Sequence, residues 1–183
     1  MKFLFSALLL STMTLATFAQ ETDPVKKANA SNEKKEDKNM VNEDVAEFLV
    51  KSADARMMDA KEGRLATKKG TTSAVRNYGK LMLKDQETLL KKIKVLAAKK
   101  NVTLPTGISD KKADGRDDLA KESGKDFDQK FIKMITVDHE RDVKMFKKAI
   151  DLEDKEVKEF AQKYLPLIQS HLDKSNAIKD AMK

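Results

Sequence analysis

Several side chains that could bind a metal ion or move a proton interrupt stripes that are otherwise apolar. They are Asp59, Glu62, Asp85, Gln86, Asp138, His139, Asp142 and His171. The clearest stripe lies in residues 127–150, where apolar residues recur at steps of three and four, the period of one helix face. Buried charge is costly unless it is paired, protonated or bound to a metal. The interruptions therefore mark where a functional site would lie.

Carboxylate and imidazole groups are ligands that iron, manganese and zinc accept. If four helices bring these groups to one level of a bundle, a metal site is the natural expectation. The candidate ligands are Asp59, Glu62, Asp85, Asp138, His139 and His171. We further expect that the two histidines do not share a metal ion, and that His171 is the more buried of the two.

Known metal motifs are incomplete in this chain. Di-iron bundle proteins carry Glu-x-x-His on two helices, and no such motif occurs here. His139-Glu140 begins like the zinc-protease motif, but Val143 stands where the second histidine would be. In the alternative interpretation, some of these groups face solvent and the rest form buried ion pairs with Arg56, Arg64, Arg76 or Arg141.

Other kinds of active site find little support. The chain has no cysteine, which excludes disulfides and thiol catalysis. It also has no glycine-rich phosphate loop and no motif that pairs a nucleophile with a base. The sequence favours a non-enzymatic protein, and we expect no cofactor unless it is iron, manganese or zinc.

Helical periodicity and cap residues place the elements that would position the site. Asn42 is a suitable N-cap, and Gly70 followed by Thr71 and Thr72 is a stop and restart signal. The pattern predicts long helices over 42–69, 73–100, 126–150 and 155–179, and a short polar helix over 110–123. Pro166 lies inside the last helix, where we expect a bend.

On the first of these helices, the stripe that contains Asp59 and Glu62 is predicted to face inward. A neighbouring stripe through Leu49, Ala53 and Met57 is also apolar. The sequence therefore leaves two alternatives for the inward face of this helix, about 50° apart.

The order of the helices predicts an all-α fold made of two helical hairpins joined by a long connection. That is the layout of a ferritin-like four-helix bundle with one crossover, and a simple up-and-down bundle is the alternative. The composition agrees, with 37% charged residues and only three prolines. Within each hairpin the acidic positions fall at matching heights.

The chain begins with a segment that resembles a secretory signal. Residues 1–19 contain Lys2, an apolar run, and Thr17 and Ala19 at the positions required for cleavage before Gln20. We therefore expect an exported protein, in the periplasm or outside the cell, with an association with the outer membrane as a further option. Residues 20–41 are predicted to be a flexible charged leader, and residues 42–183 the helical-bundle domain.

The net charge of +7 raises the question of partners. Lysine-rich faces could attract nucleic acid or anionic lipid, but aromatic residues make up only 5% of the chain and most fall on core stripes. We therefore expect no nucleic acid partner and no transmembrane segment in the mature chain. Three hypotheses follow: an envelope protein that binds an unknown partner, a metal site, or adhesion to anionic lipid through the lysines. The oligomeric state is open.

A set of short motifs, in a fixed order, resembles a known family. They are Phe48-Leu49, DAKEGRLA from Asp59, Ala74-Val75-Arg76, MLKD from Met82, Leu104-Pro105, residues 124–131, Asp138-His139, Phe146, Phe160-Ala161, Leu165-Pro166 and His171. Over about 45–178, the chain resembles domain-of-unknown-function family 4142, exported bacterial proteins often labelled as outer membrane proteins. The resemblance implies a ferritin-like bundle and a bacterial source, but no settled activity.

This chain departs from the family pattern at two candidate ligands. The resemblance implies a glutamate at the position of Asp59, and a histidine at the position of Gln86. The second departure replaces a metal-binding imidazole with a neutral amide, which is a poor ligand for these ions.

Overall fold

The computed structural model describes residues 23–182, and all the regular secondary structure in that range is helical. The helices are α1 (Pro24–Glu36), α2 (Glu43–Lys69), α3 (Ser73–Lys99), α4 (Asp110–Lys121), α5 (Gly124–Ile150) and α6 (Lys155–Ala181). The all-α prediction is confirmed. The predicted signal peptide, residues 1–19, and its cleavage site lie outside the described residues.

Side-chain caps begin the long helices close to where the sequence predicts. The side chains of Asn42, Thr72 and Asp154 each accept a hydrogen bond from the backbone N–H three residues further on. These bonds satisfy donors that a helix N-terminus otherwise leaves without a partner. The predicted boundaries of α2, α3 and α6 are confirmed to within two residues.

The prediction of a flexible leader is wrong for residues 24–36, which form α1. Asp23 caps this helix, and Pro24 occupies the first turn, where its missing N–H costs nothing. Asn32 is buried and exchanges two hydrogen bonds with the backbone of Thr103, at 3.0 and 2.8 Å. These polar contacts with the loop after α3, together with the packing of Val25 and Ala28 against the core, hold α1 in place although the segment has few apolar residues. With α1 included, the described range contains six helices, whereas the sequence predicts five.

Two further details differ from or extend the prediction. Helix α5 begins at Gly124, and its N-cap is Ser123, three residues before the predicted cap Asp126. Gly124 has a φ of 60°, a conformation in which glycine is favoured. Helix α6 continues through Pro166, as predicted; the bend there remains a prediction.

The helices pack as two hairpins, α2 with α3 and α5 with α6, and the hairpins meet where α2 contacts α5 and α3 contacts α6. Asp128 of α5 joins them at one end, because its buried carboxylate accepts hydrogen bonds from the backbone of Thr71 and Thr72. It also accepts a bond from the Thr71 hydroxyl at 2.5 Å. The α2–α3 turn is thereby fixed to the second hairpin.

Two apolar clusters lie on either side of a polar layer. The first cluster includes Phe48, Leu49, Leu89, Ile93, Phe146, Val157 and Ile168, and the second includes Ala66, Val75, Tyr78, Met82, Phe127, Phe131 and Ile135. On α2, α3 and α5 the buried residues Arg56, Asp59, Glu62, Gln86 and His139 fall in sequence between members of the two clusters. The polar layer comprises Arg56, Asp59, Glu62, Gln86, His139, Asp142 and His171. Across residues 23–182, every helix is too short or too polar to cross a membrane.

Two glycines allow α2 and α3 to approach closely. A Cβ atom built on Gly79 would lie 2.8 Å from the backbone oxygen of Gly63 and 2.8 Å from the Cβ atom of Ala66. A Cβ atom on Gly63 would lie equally close to the backbone oxygen of Gly79. Backbone atoms cannot move aside cheaply, so this crossing requires glycine.

We predict that Gly79→Ala destabilises the protein despite the better helix propensity of alanine. Overpacking costs about 1–3 kcal/mol, and alanine in a helix returns about 1 kcal/mol. Gly115→Ala in α4 is the matched control, because its Cβ atom would meet the Met134 Cε atom at an ordinary 3.7 Å. Urea unfolding should show a loss of stability for Gly79→Ala and none for Gly115→Ala. Equal stability of the two variants would contradict the close crossing.

Candidate functional site

Arg56 lies at the centre of the polar layer, and its side chain has no exposed surface. Its Nη2 atom lies 3.0 Å from Asp59 Oδ2 and donates a hydrogen bond to Asp142 Oδ2. Asp59 is on α2 and Asp142 on α5, so one guanidinium connects the two hairpins. The alternative predicted from the sequence, a buried ion pair with Arg56, is present in the structure.

His139 completes a compact group with the two carboxylates. Ligand atoms of Asp59, His139 and Asp142 all lie within 4.8 Å of one another, and the three residues are buried. His139 Nδ1 is 3.5 Å from Asp142 Oδ2. Among the described residues, neither ring nitrogen of His139 has a hydrogen-bond partner. This group combines a nitrogen donor with oxygen donors, as first-row metal ions prefer.

His171 belongs to a separate pair. Its Nε2 atom lies 3.0 Å from Asp85 Oδ2, and its backbone oxygen accepts a hydrogen bond from the Tyr78 hydroxyl at 3.0 Å. The His139 and His171 rings meet edge to face with their centroids 5.5 Å apart. The expectation that His171 is the more buried histidine is wrong, because their exposed fractions are 1% for His171 and 0% for His139.

Glu62 and Gln86 are fully buried, and their side-chain polar atoms have no hydrogen-bond partner within residues 23–182. Glu62 lies one helical turn after Asp59 on the same face of α2. The inward stripe predicted for α2, through Asp59 and Glu62, is therefore confirmed. A buried carboxylate without a partner is uncommon in proteins and calls for a physical explanation.

Asp138 does not join the buried group. It is half-buried and forms an ion pair with Arg141 at 3.0 Å. Of the six candidate ligands, the structure brings together Asp59 and His139, and it adds Asp142. It pairs Asp85 with His171, and it leaves Glu62 one helical turn away.

Burial and neighbouring charge change the acidity of this layer. Burial raises the pKa of Glu62 well above its usual value, and the negative charge of Asp59 raises it further. Burial also raises the pKa of Asp59, although Arg56 opposes the change. For Asp142, burial favours a higher pKa, but Arg56 and His139 outweigh it and lower the pKa to about 2. Burial and His139 lower the pKa of His171 to about 4, so its imidazole is neutral at pH 7.

A cleft of about 500 Å³ between α2 and α5 reaches this group from solvent. Asp59 and Asp142 line it, together with apolar side chains such as Phe48, Met145 and Leu152. A cleft of this size with apolar walls and a few converging polar groups is typical of small-ligand sites. Two members of the buried group are therefore accessible to a small solute or ion.

Comparison with known proteins gives the family. Residues 29–178 match DUF4142, described as a domain of unknown function. The chain belongs to the DUF4142 family. The resemblance seen in the sequence is thereby confirmed. No curated protein matches this DUF4142 chain.

A solved structure shares the fold of this DUF4142 chain. It is the crystal structure of a DUF305 fragment from Deinococcus radiodurans, with a TM-score of 0.68 and 11% sequence identity. The similarity covers 77% of this chain and 98% of that chain. At this identity the likeness concerns the fold alone.

Sequence reasoning underestimated two residues of the DUF4142 site. Asp142 lies on the predicted inward stripe of α5 but was not among the proposed ligands. Arg56 was expected only as one of several candidate ion-pair partners, because arginine is rarely buried. Its position three residues before Asp59 was the available signal, since residues at that spacing are neighbours on a helix.

We predict that Arg56→Met lowers the free energy of unfolding of the DUF4142 domain by about 3–5 kcal/mol, because it leaves Asp59 and Asp142 buried without their cation. Arg64→Met is the matched control on the same helix. Arg64 forms an exposed ion pair with Glu87 at 3.1 Å, and such pairs contribute at most about 1 kcal/mol. Urea unfolding of both variants measures the difference. A loss for Arg56→Met no larger than that for Arg64→Met would contradict the central role of Arg56.

Proposed function

We propose that this protein is an exported, non-enzymatic binding protein of the bacterial cell envelope, and that its polar layer binds one divalent first-row transition-metal ion. Iron, manganese and zinc are the candidates. The observation that carries the proposal is the buried group of Asp59, His139 and Asp142, with donor atoms within 4.8 Å of one another. One nitrogen and two carboxylate groups suit all three ions.

The charge of the layer supports a divalent ion. Arg56 supplies one positive charge, whereas Asp59, Glu62 and Asp142 together supply three negative charges when ionised. With neutral histidines and all three carboxyl groups ionised, the layer would have a net charge of minus two. Buried charge of this kind must be neutralised by protons or by a cation. A single divalent ion would make the layer neutral.

Arg56 is compatible with a bound ion. Its contact with Asp142 and that of His139 both use the Oδ2 atom, which leaves Oδ1 of Asp142 available to a metal. Arg56 also keeps Asp142 ionised, as the lowered pKa of that carboxyl indicates. We propose Asp59, His139 and Asp142 as the ligands, with Glu62 as the nearby counter-charge.

The cleft between α2 and α5 gives an ion a route to the layer. Both proposed carboxylate ligands line it, and so do Asp44, Glu47, Asp54 and Asp138. Five basic residues line the same cleft, so its net charge is close to zero, and the carboxylates serve as individual contacts for a cation on its way in. The ion can therefore reach the buried group without a large rearrangement of the helices.

The proposed ferritin-like fold, export and non-enzymatic role rest on the arrangement of the helices and on the sequence. Two hairpins joined by the long connection that contains α4 are the arrangement of a ferritin-like bundle, a fold whose metal sites are built from inward-facing side chains. Residues 1–19 have the plan of a signal peptide, which supports export to the periplasm or the medium. The absence from the sequence of a nucleophile-and-base motif supports binding rather than catalysis.

We predict that His139→Ala weakens zinc and manganese binding at least about 100-fold, because it removes the nitrogen donor. His171→Ala is the matched control, because the imidazole of His171 is already hydrogen-bonded to Asp85. The chain should be prepared metal-free, titrated with each ion by calorimetry, and checked for folding by circular dichroism. Iron(II) should be tested under argon.

Two results would contradict the proposal. One is that the metal-free wild-type protein binds none of the three ions more tightly than millimolar. The other is that His139→Ala binds as the wild type does while His171→Ala does not, which would place the site at the Asp85 pair instead.

A further inference from the structure

A second groove, of about 580 Å³, lies between α2, α4 and α5. Apolar side chains of Met58, Met134 and Val137 line it. Met58 is buried with 2% of its surface exposed, whereas Val137 is 38% exposed, so the apolar surface runs from the outside of α5 into the groove. The groove is of the size that binds small molecules.

The lining of this groove is strongly basic. Its charged residues are a single carboxylate, Asp138, and five cations: Lys111, Lys112, Lys130, Lys133 and Arg141. The cleft that leads to the polar layer is different, because its six acidic and five basic residues nearly balance. The two recesses adjoin and share Lys112, Asp138 and Arg141, but only the second groove has a strong positive charge.

Two of the five cations are free to meet a new anion. Lys112, Lys130 and Arg141 form ion pairs with Asp54, Glu122 and Asp138, at 3.1, 2.9 and 3.0 Å. Lys111 and Lys133 are exposed and have no ion-pair partner among residues 23–182. Lysines on α4 and α5 thus border the apolar surface from both sides.

We propose that this groove binds a single-chain amphiphile with an anionic head, of the fatty-acid class. The apolar tail would cover Met58, Met134 and Val137, and the carboxylate would lie between Lys111 and Lys133. The methylene stems of lysine can cover the tail while their ammonium groups reach the head. Methionine adapts its shape to flexible apolar chains.

Features of the groove distinguish this class from other anions. A membrane surface cannot reach Met58 at the bottom of a recess, whereas a single free chain can enter. No aromatic side chain lines the groove, so the stacking that binds single-stranded nucleic acid has no platform here. Inorganic phosphate would leave the apolar floor uncovered.

Gly115 of α4 offers a direct way to fill the groove. It lines the recess, and a Cβ atom there would make an ordinary contact of 3.7 Å with Met134 Cε. Gly115→Ala should therefore leave the groove open, whereas the longer side chain of Gly115→Leu would occupy the space beside Met134. The two variants differ in volume and share the loss of glycine.

The test is calorimetric titration of the mature full-length chain with dodecanoate, below its micellar concentration. We expect one molecule bound per chain. The double variant Lys111→Gln/Lys133→Gln should bind about tenfold more weakly, as expected for the loss of two exposed charge contacts. Gly115→Leu should lose binding and Gly115→Ala should keep it. The exposed lysine pair in Lys91→Gln/Lys92→Gln is the charge control and should bind as the wild type does.

Other probes separate this proposal from its competitors. Dodecyltrimethylammonium has the same tail and the opposite charge, and equal binding of it would overturn the role of the lysines. Binding to phosphatidylglycerol vesicles without binding to free dodecanoate would assign the basic face to a membrane surface and overturn the proposal. Unchanged binding by Gly115→Leu would place the amphiphile elsewhere. His139→Ala should bind dodecanoate normally, because His139 does not line this groove.

Discussion

The side chain of Arg56 has no exposed surface, so carboxylates inside the bundle must neutralise its charge. The helices must therefore pack so that these carboxylates reach Arg56. This requirement is satisfied by Asp59 on its own helix and by Asp142 across the interface between hairpins. Sliding α2 against α5 by one turn would separate the charges at a cost of several kcal/mol. Apolar packing above and below the layer tolerates such shifts better, because many apolar contacts are interchangeable. Arg56 therefore sets the register of the two hairpins.

The same layer contains more carboxyl groups than Arg56 can pair with, and this excess links the fold to the proposed function. Glu62 has no hydrogen bond within the described part of the chain, and its raised pKa reflects a carboxyl that burial holds toward its protonated form. A core selected only for stability would place an apolar residue there. Keeping a carboxyl group one helical turn from Asp59 is explained if the layer exchanges protons for a divalent cation.

Periodicity and cap residues were enough to predict the long helices, the inward stripe through Asp59 and Glu62, and the polar layer. They could not predict which of two adjacent residues, Asp138 or His139, enters the core. Neighbours on a helix point about 100° apart, and a rotation of α5 smaller than that decides between them. The helix α1 was missed because hydrogen bonds between Asn32 and Thr103 hold it, and a non-local contact of this kind leaves no periodic signal. The burial of Arg56 depends likewise on Asp142, 86 positions away along the chain.

The most direct measurement of the central claim compares the stability of the wild type and Glu62→Gln with and without zinc. The folded-state pKa of Glu62 is raised above its usual value of 4.5, so this acid destabilises the fold at pH 7 and ceases to do so below about pH 4. Metal-free Glu62→Gln should therefore be more stable than the wild type at pH 7, with the difference vanishing toward pH 4. Saturating zinc should stabilise the wild type more than the variant. The account would be contradicted if metal-free Glu62→Gln were less stable than the wild type and zinc stabilised both proteins equally.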